Sequence, residues 1–155
     1  MPGFARGALL GFFGLVVGAQ LIRPARTNPP VDRSRTLEAV VFVPPQVESI
    51  LQRACNDCHS DLTRWPWYSN LAPVSWLVID HVEEGRRHVN FSEWLRRDTK
   101  DPGQYSRERF QAICRQMETG AMPLTSYLLL HRAAKVSHSD IEAICQWTKT
   151  GVLSN

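Results

Sequence analysis

Four cysteines in 155 residues are too few to build a scaffold of disulfides. Basic tracts are missing as well. Lys plus Arg number 18 against 15 Asp plus Glu, a formal charge of +3. Residues 1–30 hold Arg6, Arg23 and Arg26 and no acid, so the remainder is balanced and nucleic acid is excluded as a partner. No internal repeat exists, and no stretch alternates with a period of two over the length of a strand. Nor is there a twenty-residue apolar run: the longest uncharged segment is 7–22. What is present is ordinary globular composition, 43% hydrophobic and 21% charged, which excludes disorder and leaves room for one domain with a modest core.

Segment 7–22, GALLGFFGLVVGAQLI, lies between the length of a signal-peptide core and that of a spanning helix. Gly7, Gly11, Gly14 and Gly18 recur at helical spacing, a small-residue face suited to helix–helix self-association in a bilayer. The expectation is a membrane anchor within 1–23, touching lipid through residues 4–22. The alternative is a signal segment cleaved near Val17-Gly18-Ala19, leaving a soluble periplasmic protein. Arg6 and Arg23 flank the run on both sides, so the charges alone give no orientation. Five of the ten prolines fall in 23–45, and 24–45 therefore reads as an extended Pro-rich stalk.

The remaining stretch, 46–155, has helical periodicity. Val47, Ile50, Leu51 and Ala54 follow the i, i+3, i+4, i+7 rule. Pro73 opens a second helix with a stripe of Val74, Leu77, Val78, His81 and Val82, ending near Gly85 or His88. Ser92 to Leu95 starts a short third helix. Ser106 is the expected cap of a fourth, carrying Phe110, Ile113, Cys114 and Met117, with Gly120 as its stop. A short helix covers Tyr127 to Ala134. Ser137, with Asp140 three residues on, caps the last helix, whose face is Ile141, Ile144, Cys145 and Thr148 and whose end is Gly151. The body is all-α.

Residues 55–59 read Cys-Asn-Asp-Cys-His, the pattern that attaches haem c. On a helix Cys55, Cys58 and His59 share one face, so two thiols meet two vinyl groups while the imidazole reaches iron. A zinc site needs a second ligand pair, and Cys114 and Cys145 stand far apart in sequence. A thioredoxin-type dithiol needs a βαβ context and has no use for the histidine. The second axial ligand is expected from Met122, in the loop Gly120-Ala121-Met122-Pro123. The other candidates are Met117, His81, His88, His131 and His138, with Met117 better placed for core packing. Arg64, Trp65, Trp67, Tyr68 and Trp76 are candidates for flat walls and propionate donors, as are Arg86 and Arg87 for propionates. Cys114 and Cys145 sit on inner helix faces, where two buried thiols are favoured slightly over a disulfide.

The order of these motifs resembles the small haem-binding-domain family of bacterial membrane-anchored proteins, which is related to c-type cytochromes. The resemblance runs through Arg26-Thr27-Asn28-Pro29-Pro30-Val31, Cys55 to Ser60, Thr63 to Ser69 and Ala72 to Trp76. It continues through His81 to Arg86, Asn90 to Trp94, Gly120 to Pro123 and the Tyr127…His131 spacing. It implies one covalent haem c per chain on Cys55, Cys58 and His59, with iron held by His59 and Met122. Haem is attached to such sites outside the bacterial cytoplasm, which puts the body in the periplasm behind a single-pass inner-membrane helix. The expected fold is thus all-α and c-type cytochrome-like, behind that helix and the Pro-rich stalk. The expected role is one-electron transfer to a redox partner protein in or at the membrane, not catalysis. The alternatives are a haem-based sensor, a subunit of a membrane redox complex, or a small peroxidase using a residue such as His81.

Overall fold

The computed structural model describes residues 2–95 and 99–150, the side chains of residues 2–4 excepted. Among them the chain is all-helical, with no strand. The helices are α1 (Pro2–Ala19), α2 (Leu37–Val40), α3 (Pro45–Ala54), α4 (Asn56–His59), α5 (Val74–His88), α6 (Pro102–Glu118), α7 (Thr125–Leu128) and α8 (His138–Thr150). Short 3-10 turns at Arg33–Arg35, Trp67–Asn70, Phe91–Glu93 and Arg132–Ala134 link them.

The core forms where α3, α6 and α8 meet. Val47, Ile50, Leu51 and Ala54, the stripe predicted for α3, are all buried. Against them lie Phe110 and Met117 of α6 and Ile144 and Trp147 of α8. Phe110 sits at the centre of an aromatic stack, its ring 5.0 Å from Trp94 and 5.0 Å from Trp147. Burial of such large side chains at about 1.5–3 kcal/mol each is the main force holding the helices together. Ser137 and Asp140 cap α8 reciprocally: the Asp140 N–H donates to Ser137 Oγ at 3.1 Å, and the Ser137 N–H donates to the Asp140 carboxylate at 2.7 Å. The end expected at Gly151 lies outside the described residues. Gly120, at φ +70°, follows α6 in the left-handed conformation its position demands.

Several expectations are corrected. The N-terminal transmembrane helix is the first: among the described residues no helix is long and apolar enough to cross a membrane. α1 ends at Ala19, so only Gly7–Ala19 continues beyond Arg6 as helix. At 1.5 Å per residue that is about 20 Å, against about 30 Å of hydrocarbon. The apolar residues Leu21 and Ile22 lie beyond the helix. Gln20 clasps the Ala72 backbone by two bonds of 3.0 Å, and the Trp76 indole N–H donates to Ile22 O at 2.9 Å.

Segment 24–45, expected as a stalk, lies on the body. Leu37 and Val41 are part of the core, and Thr27 and Asn28 accept hydrogen bonds from Arg86. Cys114 and Cys145 form a disulfide between α6 and α8, where free thiols were slightly favoured. Ser106 caps nothing. Asp101 accepts the Gln104 N–H at 2.9 Å as the cap of α6, and Ser106 is buried as the acceptor of the Trp94 indole N–H. On α5 the buried residues are Ser75, Ile79, Val82 and Gly85, while Val74 and Leu77 of the expected stripe face outward.

Candidate functional site

α3 delivers the chain into the Cys-x-x-Cys-His turn. Cys55 breaks the helix (φ −127°, ψ −42°), and α4 starts afresh one residue on. The Cys55 carbonyl still accepts the N–H groups of Cys58 at 3.1 Å and His59 at 2.9 Å, so the motif closes as one tight turn. The turn is fixed from below by hydroxyls. Ser60 Oγ donates to Asn56 O at 2.7 Å, and Thr63 Oγ1 donates to Asp57 O at 2.8 Å. Cys55 and Cys58 are both free thiols, half-buried, in a chain whose other two cysteines are paired.

The imidazole of His59 is held by α5 and the residue that caps it. Its Nδ1 lies 3.0 Å from Gly85 O and 3.0 Å from Val89 O. Two carbonyls can only accept, so Nδ1 carries the proton and Nε2 keeps a free lone pair. Phe91 packs beside the ring at 6.1 Å. Burial holds the His59 pKa below its usual value, the two carbonyl bonds opposing, so the neutral ligand form is favoured. Burial and the charge of its neighbour Cys58 push the Cys55 thiol up to about 12, and burial with Asp57 pushes Cys58 up to about 11. The pair is therefore protonated at neutral pH.

Gly85 makes this geometry available. A Cβ at that position would meet the Cys58 carbonyl oxygen at 2.5 Å. Only glycine lets the α5 backbone approach closely enough to anchor His59.

The neutral, oriented imidazole and two unpaired thiols on one turn fit a haem attachment site. The comparison with known families agrees: residues 14–150 match the haem-binding domain. The chain belongs to that family. It is a haem-binding protein. No curated protein and no solved structure matches it.

Within this haem-binding domain the other residues expected at the site are placed differently from one another. Tyr68 stands close to the Cys55–His59 turn; its hydroxyl pairs with His131 Nε2 at 2.8 Å, and burial, then Asp57 and Cys58, raise its pKa. Trp67 is 73% exposed and packs edge-on against Tyr68. Trp65 is half-buried. The Trp76 indole N–H donates to Ile22 O. Arg64 is largely exposed and reaches Asp57 Oδ1 at 3.3 Å. Met122 is half-buried just beyond α6, its N–H bonded to Gln116 O at 3.1 Å. Met117 is core. His81 is half-buried, while His88 and His138 are exposed and pair with Glu84 and Glu142.

Arg86 is fully engaged inside the protein. It donates to Ser60 O, Thr27 O, Asn28 Oδ1 and Thr63 Oγ1 at 2.8–2.9 Å, and pairs with Asp61 at 3.4 Å. Arg87 is exposed and pairs with Glu84. Three residues were missed by sequence reasoning: Gly85, Asp57 and Tyr127. Tyr127 donates to the Asp57 carboxylate at 2.8 Å, and burial and that carboxylate raise its pKa well above the usual range. The Tyr127…His131 spacing was the only available signal: it puts the two rings 4.1 Å apart.

Proposed function

We propose that this haem-binding protein is a mono-haem c-type electron carrier that matures outside the bacterial cytoplasm. The observation that carries the reading is the pinning of His59 Nδ1 by two carbonyls beside two unpaired thiols. Cys55 and Cys58 would hold the porphyrin as thioethers, and His59 Nε2 would take one axial position on iron. Met122 would supply the other. Haem, when bound, supplies an iron that gains and loses one electron. The chain's part is rigidity. Gly85 and Val89 fix the imidazole plane, and the hydroxyl-braced turn fixes the two sulfurs. Fixed ligands reorganise little when the charge on the metal changes, which favours electron transfer over ligand exchange. The Cys114–Cys145 disulfide supports an oxidising compartment, the periplasm in a bacterium. A redox partner protein completes the reading.

The test is production in cells that mature cytochromes c, followed by haem staining of a denaturing gel. A stained band is expected for the parental chain, lost in Cys55→Ala with Cys58→Ala. A colourless band from the parental chain rejects covalent attachment. The reduced protein should resist carbon monoxide and show a reversible one-electron wave. Rapid carbon monoxide binding by the parental protein rejects Met122 ligation and the carrier role with it.

A further inference from the structure

The chain from Gly120 to His131 carries Met122, and Met122, Leu124, Tyr127 and His131 along it are half-buried. Among the described residues its helix α7 lies against the 3-10 turn that follows it and reaches α4 through the side chain of Tyr127. At its start, the Met122 N–H is pinned to Gln116 O at the end of α6. Beyond that the segment makes two side-chain hydrogen bonds to the rest of the described protein. Tyr127 donates to Asp57 Oδ2 at 2.8 Å, and Tyr68 pairs with His131 Nε2 at 2.8 Å.

We infer that Tyr127 is a positioning residue for the second axial ligand: its bond to Asp57 latches the Met122 segment onto the attachment turn. The inference rests on the haem c reading with Met122 as ligand. Asp57 lies between the two attachment cysteines, and it is a prepared acceptor. Its other oxygen takes the Arg64 backbone N–H and side chain at 3.3 Å each, and its carbonyl takes Thr63 Oγ1. The carboxylate therefore has one oxygen left, aimed at Tyr127. A bond from a neutral hydroxyl to a carboxylate is among the stronger hydrogen bonds, and this one spans 70 residues of sequence. The second link braces the first, because the rings of Tyr127 and His131 are 4.1 Å apart. Met122 is thereby held between two pins, Gln116 before it and Tyr127 after it. With the second pin gone, the next anchor after Met122 is His131, nine residues on, and an outside ligand competes with the slackened thioether for the metal.

The experiment uses the full-length holoprotein and reads carbon monoxide binding to the reduced form, with the weak near-infrared sulfur-to-iron band of the oxidised form. Tyr127→Phe keeps the ring and removes the hydroxyl. It should leave covalent haem content unchanged, speed carbon monoxide binding about tenfold, the worth of one hydrogen bond to a charged group, and weaken the band. Asp57→Asn keeps an acceptor oxygen without its charge and should fall between the parental rate and that of Tyr127→Phe, while Asp57→Ala should match Tyr127→Phe. A Tyr127→Phe protein with parental band and parental rate overturns the latch and leaves the carrier reading intact. A parental protein without the band that binds carbon monoxide fast removes the ligand itself and the latch with it. If Tyr127→Phe yields no holoprotein, the Asp57 pair decides: equal rates in Asn and Ala overturn the latch, and a faster rate in Ala upholds it.

Discussion

At the residue scale, the Cys-x-x-Cys-His turn is legible in the sequence because it is local: two sulfurs and an imidazole within five residues. What aims the imidazole is not local. In sequence Gly85 is one of two candidate ends for α5, with His88; the helix ends at His88, and the glycine serves a contact with Cys58 twenty-seven residues earlier. Gly85→Ala tests the difference. Helix propensity alone says alanine stabilises by about 1 kcal/mol. The contact says a methyl must displace the Cys58 backbone, since 2.5 Å is far inside contact distance. Overpacking costs about 1–3 kcal/mol, and it moves the carbonyl that holds His59. Net destabilisation with reduced haem incorporation is expected in urea titration and haem assay; a more stable, fully loaded variant would show the contact to be unimportant. Arg86 offers a second case. It looks like a propionate partner in sequence, but its guanidinium bonds four protein oxygens in the structure. A lysine has the charge without the planar fork, so Arg86→Lys should lose about 1–3 kcal/mol of stability, read as a lowered urea midpoint. An unchanged midpoint would show that charge alone suffices there.

At the scale of elements, what was legible was periodicity and capping, and what failed was the direction of a face. For α3 the apolar stripe and the buried stripe coincide, because the core covers one side of the helix. For α5 they differ, because Gly85 and its neighbours turn toward the attachment turn and the 3-10 segment Trp67–Asn70, leaving Leu77 outside. A stripe of apolar residues names a candidate face, and only the partner decides which residues are covered. The helices α6 and α8 show the same limit. Their periodicity puts Cys114 and Cys145 inward, but no spacing rule reveals that the helices are neighbours, and the disulfide follows from that adjacency. It closes a loop with a sequence separation of 31, so chain-entropy arguments assign it about 3–4 kcal/mol. Cys114→Ala with Cys145→Ala should therefore lower the urea midpoint clearly while leaving the haem-stained band in place, since neither sulfur belongs to the attachment turn. Loss of the band in that variant would mean that the α6–α8 brace is needed for attachment.

At the scale of the whole molecule, folding energy is concentrated in residues from Leu37 to Trp147, and α1 contributes little of it. Leu9, Phe12 and Leu15 are 69%, 66% and 75% exposed, and α1 packs against no other helix among the described residues. Apolar side chains that stay exposed give no burial term, so the hydrophobic effect assigns this helix almost no share of the stability. Contact with the body begins at Gln20, whose amide bonds both the N–H and the C=O of Ala72, and continues with Ile22, Thr27 and Asn28. The boundary that matters for stability is thus the end of α1, whereas the composition shift in the sequence places one at the Pro-rich segment. A chain beginning at Gln20, given an unrelated export signal that is removed on secretion, should carry the same covalent haem. Its melting temperature should lie within about 2 °C of the parent, because 1 kcal/mol moves a domain of this size by about 2–4 °C. A second chain beginning at Val31 removes Thr27 and Asn28 as well, leaving two of the Arg86 bonds unmade, and should melt several degrees lower. If instead the first truncation already melts more than about 4 °C lower, α1 is packed in solution against a surface of this protein, and the exposure of Leu9, Phe12 and Leu15 does not describe the working molecule.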